Sequence, residues 1–255
     1  MIRQELKNYI GMNDNFRYRG EEQTRVETFS DAVFALSITL LIVSAEVPDT
    51  FSEMKLFIYD ILPFALCIAF ITYIWYEHYL FFIRFGFRSK TIVILNTVLL
   101  FFLLLYVYPL KFLAKFLVAI YGNMFINLMG ITNSKFPSPG DMLQNQELSE
   151  LMIIYGLGVA FIFFVLSQMY RYALKKRKEL KLNKLETFET NSALQSQLLM
   201  GSVPILSVLV AAIFGNTLAG SIVSGFIYML YLPLFPIWIR VRSKKMSRQF
   251  PNIKS

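Results

Sequence analysis

One aspartate, Asp31, stands at the head of a long apolar run, and the chain's single histidine, His78, stands near the end of the next one. An acid within such a run costs about 2.5–3.5 kcal/mol at mid-membrane and less near the interface, so its presence points to a functional or structural task. Arg25, Phe29 and Ser30 precede it within two helical turns, Trp75 and His78 are three positions apart and share a helical face, and Asn96 sits early in a third run. If the three runs alternate in direction, Asp31, Trp75, His78 and Asn96 fall at a similar depth. A carboxylate with arginine, imidazole and indole donors nearby makes a satisfied polar clip across three helices. The same set suits a gating or pH-sensing role, because imidazole titrates near neutrality. Enzyme chemistry is not indicated. One histidine and one cysteine, Cys67, provide no metal-ligand set, and no Ser-His-Asp or Cys-His constellation assembles.

The run that Asp31 opens has a second kind of chemistry. From Ala32 to Ala45 it carries no charge, and its only polar groups are hydroxyls. On a helical wheel Phe29, Leu36, Leu40, Val43 and Val47 form one stripe with Thr39 at its edge. Ser30, Ser37 and Ser44 recur on a neighbouring face, and Asp31 points to the far side from Leu36. The aliphatic stripe suits packing against other helices or lipid. It also suits a hydrophobic constriction, if symmetry-related copies surround an axis and exclude water when narrow. In that arrangement Thr39, and less directly Ser37, would offer hydroxyl oxygens to a partly dehydrated cation.

These residues need membrane helices to hold them. The chain has 255 residues, 56% of them hydrophobic, and a mean hydropathy of +0.51, which points to an integral membrane protein. Its long apolar runs without period-two alternation make an all-α one the expectation. Six spans are expected, at about 27–47, 56–83, 91–110, 151–171, 194–214 and 218–239, within one membrane domain covering 1–255. Residues 1–24 read as a polar lead-in without the apolar core of a signal peptide, so the first span is expected to act as both signal and anchor. Residues 111–150 read as an extracytoplasmic or interfacial connection whose first part could also extend the third span, and 172–193 as a basic cytoplasmic linker. With the N-terminus inside, 21 of 25 Lys/Arg fall on inner segments, leaving Lys55, Lys111, Lys115 and Lys135 outside. That asymmetry predicts cytoplasmic termini. The net charge of +8 flanks apolar segments and forms no single patch, which argues against nucleic acid as a partner and for the lipid bilayer.

The pattern Arg25-x-x-x-Phe29-Ser30-Asp31, followed by Trp75-x-x-His78 and by Asn96 and Pro109, resembles the transmembrane protein 175 family of potassium channels, bacterial one-repeat branch. The resemblance covers the six-helix layout over most of the chain. It implies that the first helix lines a central pore, with Leu36, Leu40 and Val43 as the constriction and Thr39 as a hydroxyl ring bearing on potassium preference. It also implies that Arg25, Phe29, Ser30, Asp31, Trp75, His78 and Asn96 form a network behind the pore helix. One copy of the Phe-Ser-Asp motif per chain implies a homotetramer. Potassium would be the permeant ion with no cofactor and no fixed metal site, in a bacterial plasma (inner) membrane. The chain lacks a Thr-Val-Gly-Tyr-Gly filter, so selectivity over sodium is expected to be modest. The competing reading is a secondary transporter of small ions or solutes. It would call for inverted repeats and helices broken at mid-membrane, whereas the prolines here sit near span ends apart from Pro204.

Overall fold

The structure, a computed structural model, describes residues 16–20, 22–43, 49–51, 54, 60–130, 138–143, 147–215 and 217–251. Its elements are α1 (Arg25–Val43), α2 (Ile61–Phe85), α3 (Lys90–Leu128), the short α4 (Pro139–Met142), α5 (Glu147–Lys175), α6 (Lys184–Phe214), α7 (Leu218–Phe226), a 3₁₀ turn (Ile227–Leu230) and α8 (Tyr231–Gln249). No strand occurs among the described residues. Helices α2, α3, α5, α6 and the continuous unit Ala219–Gln249 are each long and apolar enough to cross a membrane. The 19 described residues of α1 add roughly 28 Å, close to the about 30 Å of a hydrocarbon core.

Local chemistry sets the helix ends. The Ser89 side chain accepts from the Ile92 amide at the start of α3. Asn183 and Glu186 form a reciprocal capping box at the start of α6, and the Thr217 side chain accepts from the Gly220 amide at the start of α7. Helix α2 closes on Gly86, whose φ of 58° lies in the left-handed region that favours glycine.

Three boundaries differ from those the hydropathy pattern suggests. Helix α3 does not stop at Pro109; it runs on through Lys111 and Lys115 to Leu128 as one 39-residue helix, roughly 58 Å long. A proline removes one helical hydrogen bond and crowds the preceding turn. Here the neighbouring helix secures that turn. The Tyr155 hydroxyl of α5 donates to the Pro109 carbonyl, while the Tyr106 hydroxyl of α3 donates to the Tyr155 carbonyl at 2.7 Å. Helix α6 begins ten residues before the expected apolar start, at Lys184, because its capping box nucleates the polar first turns. The expected 172–193 linker therefore shrinks to a turn between Lys175 and Lys184. The last span is interrupted by the 3₁₀ turn and then continues to Gln249.

Helices α5 and α6 form the most extensive pair, and among the described helices α1 packs on α2 and α3. At the end of the bundle where Arg84, Arg171, Lys184 and Arg242 gather, Phe81, Phe82 and Tyr170 are fully buried, with the Phe81 and Tyr170 rings edge-on at 5.3 Å. Residues 16–20 belong to this core. Phe16 and Tyr18 are buried, and the Arg19 and Gly20 amides donate to the Arg84 and Ile83 carbonyls at 3.3 and 3.0 Å. Those carbonyls end α2 and have no helical donor of their own. A Cβ on Gly20 would sit 2.3 Å from the Phe82 carbonyl oxygen, so only glycine lets the segment lie this close. The polar lead-in is thus partly a core element, a correction to the reading from composition.

Candidate functional site

Helix α1 has two faces of different character. Ser30, Val33, Phe34, Ser37 and Leu41 are buried against α2 and α3. On the other side Arg25, Thr28, Phe29, Ala32, Ala35, Leu36, Thr39 and Ile42 are exposed in the protomer along the helix's length. Phe29 is 64% and Leu36 49% exposed. Other exposed helix surfaces, such as Phe101 and Leu105 on α3 or Leu206, Leu209 and Ile213 on α6, carry bulky apolar groups suited to acyl chains. The α1 face instead alternates small, hydroxyl and apolar groups. Its centre falls between Leu36 and Thr39, which moves Thr39 from the edge of the expected stripe to the middle. Leu40 is half-buried and packs against the core, so it flanks the face. Ser37 is fully buried and cannot meet an ion on this face. Val43 ends α1, and its side chain lies outside the described residues, as do Ser44 and Val47.

The hydroxyls on α1 are oriented by their own helix. Thr39 Oγ1 donates to the Ala35 carbonyl at 3.0 Å, and Ser37 Oγ to the Val33 carbonyl at 2.8 Å. Once its proton is committed in this way, the Thr39 oxygen presents its remaining lone pairs outward, toward whatever faces the strip.

Behind the face, the expected polar cluster is present as two separate bridges. In the first, Trp75 Nε1 donates to Asp31 Oδ1 at 2.8 Å and Gln23 Nε2 to Asp31 Oδ2 at 2.9 Å. In the second, Asn96 Nδ2 donates to Ser30 Oγ at 2.9 Å, while Asn96 Oδ1 meets His78 Nε2 at 2.8 Å. Because a carbonyl oxygen only accepts, this amide orientation places the His78 proton on Nε2. Ser30, His78 and Asn96 are all buried, with the imidazole ring between Phe34 and Phe82. Three helices are thereby tied at one depth. Arg25 is not part of either bridge. It is exposed, and no ion pair joins it to Asp31.

Two anchors were not anticipated. Thr24 and Glu27 cap the start of α1: the Thr24 amide and hydroxyl donate to Glu27 Oε1 at 2.9 Å, and the Glu27 amide donates back to Thr24 Oγ1 at 3.2 Å. The pattern Thr24-x-x-Glu27 before an apolar run is a sequence signature for such a cap. At the far end Lys111 Nζ donates to the Leu41 carbonyl at 3.1 Å, and Lys115 pairs with Asp60 at 2.7 Å. A cation at a helix C-terminus meets both orphan carbonyls and the helix dipole. So α1 is fixed at its base, its middle and its top along one side.

Replacing Asn96 with leucine is expected to strand the His78 Nε2 proton in an apolar site, at a cost of about 1–3 kcal/mol. Thermal unfolding in detergent checks this; an unchanged melting temperature would show that the bridge is energetically idle. Among the described residues no group of three or more His, Cys, Asp or Glu side chains could hold a metal ion.

This architecture defines an all-helical membrane protein whose first helix is braced from behind and leaves one continuous face unpaired in the protomer. Residues 25–106 match the family described as "Endosomal/lysosomal potassium channel TMEM175". A protein of Marivirga tractuosa named "Potassium channel" is 47% identical over 249 residues, covering 97% of this chain and 98% of its own length. A crystal structure of a variant of the potassium channel MtTMEM175, in complex with a nanobody–MBP fusion protein, superposes with a TM-score of 0.81 at 46% identity, covering 92% of this chain and all of that one. The chain belongs to the TMEM175 family. Members of this family are channels, not enzymes.

Proposed function

We propose that the chain forms a potassium-permeable channel in which the exposed face of α1 lines a central pathway shared by four copies. The observation that carries this reading is the braced helix with its unpaired face of Phe29, Ala32, Leu36 and Thr39, together with relatives named potassium channels. Leu36 is the main barrier. Its aliphatic side chain resists wetting of a narrow passage, and Leu40 and Val43 extend that barrier toward the top of the helix. Thr39 supplies hydroxyl oxygens in the same layer, so a cation can replace part of its hydration shell there. A ring of hydroxyls is a weaker coordination field than a cage of backbone carbonyls, and selectivity over sodium is accordingly modest. The reading puts the termini on the cytoplasmic side of a bacterial plasma membrane, which the positive-inside rule supports through the basic residues gathered at one end of the bundle.

Asp31, Trp75, Ser30, His78 and Asn96 act as positioning residues. They hold the pore-lining helix at a fixed rotation and do not touch the ion. Mass measurement in detergent combined with potassium flux in proteoliposomes tests the assignment. A four-chain particle that passes potassium passively down its gradient is the expected result. Coupled counter-flux would identify a secondary transporter, and a non-conducting particle would overturn the reading.

A further inference from the structure

The basic end of the bundle carries an open groove between α3 and α5 that the pore assignment leaves unused. It is lined by Thr91 and Leu95 from the start of α3 and by Arg171, Tyr172, Lys175 and Lys178 from the end of α5 and the turn beyond. Arg171, Lys175 and Lys178 are exposed, and no ion pair engages them among the described residues. The nearby carboxylates are already committed, Glu179 to Lys176 at 2.6 Å and Glu186 to Arg19 at 2.8 Å. Three unneutralised cations therefore converge on one groove.

The groove also has an apolar continuation. About two turns deeper along the same two helices, a chain of rings crosses from α3 to α5. Phe101 and Phe102 meet at 5.3 Å, Phe102 and Phe161 at 3.9 Å, and Phe161 and Phe164 at 6.3 Å. Phe101 and Phe164 are exposed. A cationic rim above an exposed aromatic wall, between two membrane-spanning helices, matches an amphiphile with an anionic head and a hydrocarbon tail. Basic pockets between transmembrane helices take such head groups. We infer that the α3–α5 groove is a binding site for an anionic phospholipid, with its phosphate among Arg171, Lys175 and Lys178 and an acyl chain along Phe101 and Phe164.

The test uses the full chain in detergent, with thermal stability read during titration of phosphatidylglycerol, phosphatidylcholine or inorganic phosphate. Phosphatidylglycerol should raise the melting temperature at lower concentration than phosphatidylcholine, and inorganic phosphate should have no effect. Removing the three charges (Arg171→Gln, Lys175→Gln, Lys178→Gln) should abolish the preference. Each surface cation contributes about a fivefold factor, so the triple variant should bind phosphatidylglycerol about a hundredfold more weakly. These side chains are exposed, which leaves the fold unaffected. As a second measurement on the unaltered chain, about 1 M salt should erase the preference, because the Debye length then falls to about 3 Å. Equal stabilisation by both lipids, a preference that survives in the triple variant or in high salt, or stabilisation by inorganic phosphate alone would overturn the proposal.

Discussion

Truncating Leu36 to alanine is expected to raise potassium flux by on the order of tenfold without altering assembly. Leu36 is 49% exposed in the protomer and lies on the unpaired face of α1, so little packing inside the chain is lost with it. Three carbon atoms are removed from every copy, each worth about 0.8 kcal/mol of apolar surface. Water fills a wider and less apolar constriction more readily, and 1.4 kcal/mol less barrier is a factor of ten in rate. Leu40→Ala makes the informative contrast. Leu40 is half-buried against the core, so its truncation should cost more stability and gain less flux. Flux into proteoliposomes, measured beside the melting temperature of each variant, separates the two effects. Unchanged flux in a correctly assembled Leu36→Ala protein would mean that another surface lines the pathway.

The contrast between those two leucines shows where sequence reasoning reached its limit. Wheel geometry separates Asp31 from Leu36, and the structure keeps that separation. The wheel cannot say where the buried arc is centred, because that depends on which neighbours α1 packs against. Its contacts with α2 and α3 turn Leu40 inward and bring Thr39 to the middle of the open face. The polar clip was legible for a similar reason. Aspartate, histidine and asparagine in apolar runs must find partners, and alternating spans bring Trp75, His78 and Asn96 to the depth of Asp31. Which donor meets which acceptor depends on side-chain direction, and for Arg25 neither nearness in the chain nor the motif resemblance fixes that direction. Pro109 misled for a tertiary reason. Proline followed by two lysines reads as a helix end, yet the hydroxyls of Tyr106 and Tyr155 splice that turn to α5. Composition marks the lead-in as polar throughout, yet the alternation Phe16-Arg17-Tyr18-Arg19-Gly20 carries a signal for burial. Aromatics at every second position face the core, while the arginines between them face the polar neighbours.

That alternation leads to the other large expected effect. Glu186 is 1% exposed, and its carboxylate receives the Arg19 guanidinium at 2.8 Å, the Arg17 amide at 3.0 Å and the Asn183 amide at 2.9 Å. Arg19 is only 14% exposed and also donates from Nε to the Leu180 carbonyl at 2.9 Å. One acid thus joins the segment before α1, the start of α6 and the α5–α6 turn. Substituting Glu186→Gln keeps the volume but removes the charge and replaces one acceptor oxygen with an amide NH2 that faces other donors. Breaking one partner of a buried pair costs about 3–5 kcal/mol, and the partial exposure of Arg19 favours the lower figure. A loss of about 3 kcal/mol in the local opening energy multiplies the open population by roughly a hundred. Trypsin cleavage after Arg17 and Arg19 should accelerate by that factor, and the melting temperature in detergent should fall. Because residues 16–20 also cap the last carbonyls of α2, releasing them loosens the base on which α1 stands. The flux of Glu186→Gln should therefore become more variable between preparations, while the effect of Leu36→Ala persists in the double variant. Cleavage at the unaltered rate would show that Phe16, Tyr18 and the backbone bonds to α2 hold the segment without Glu186.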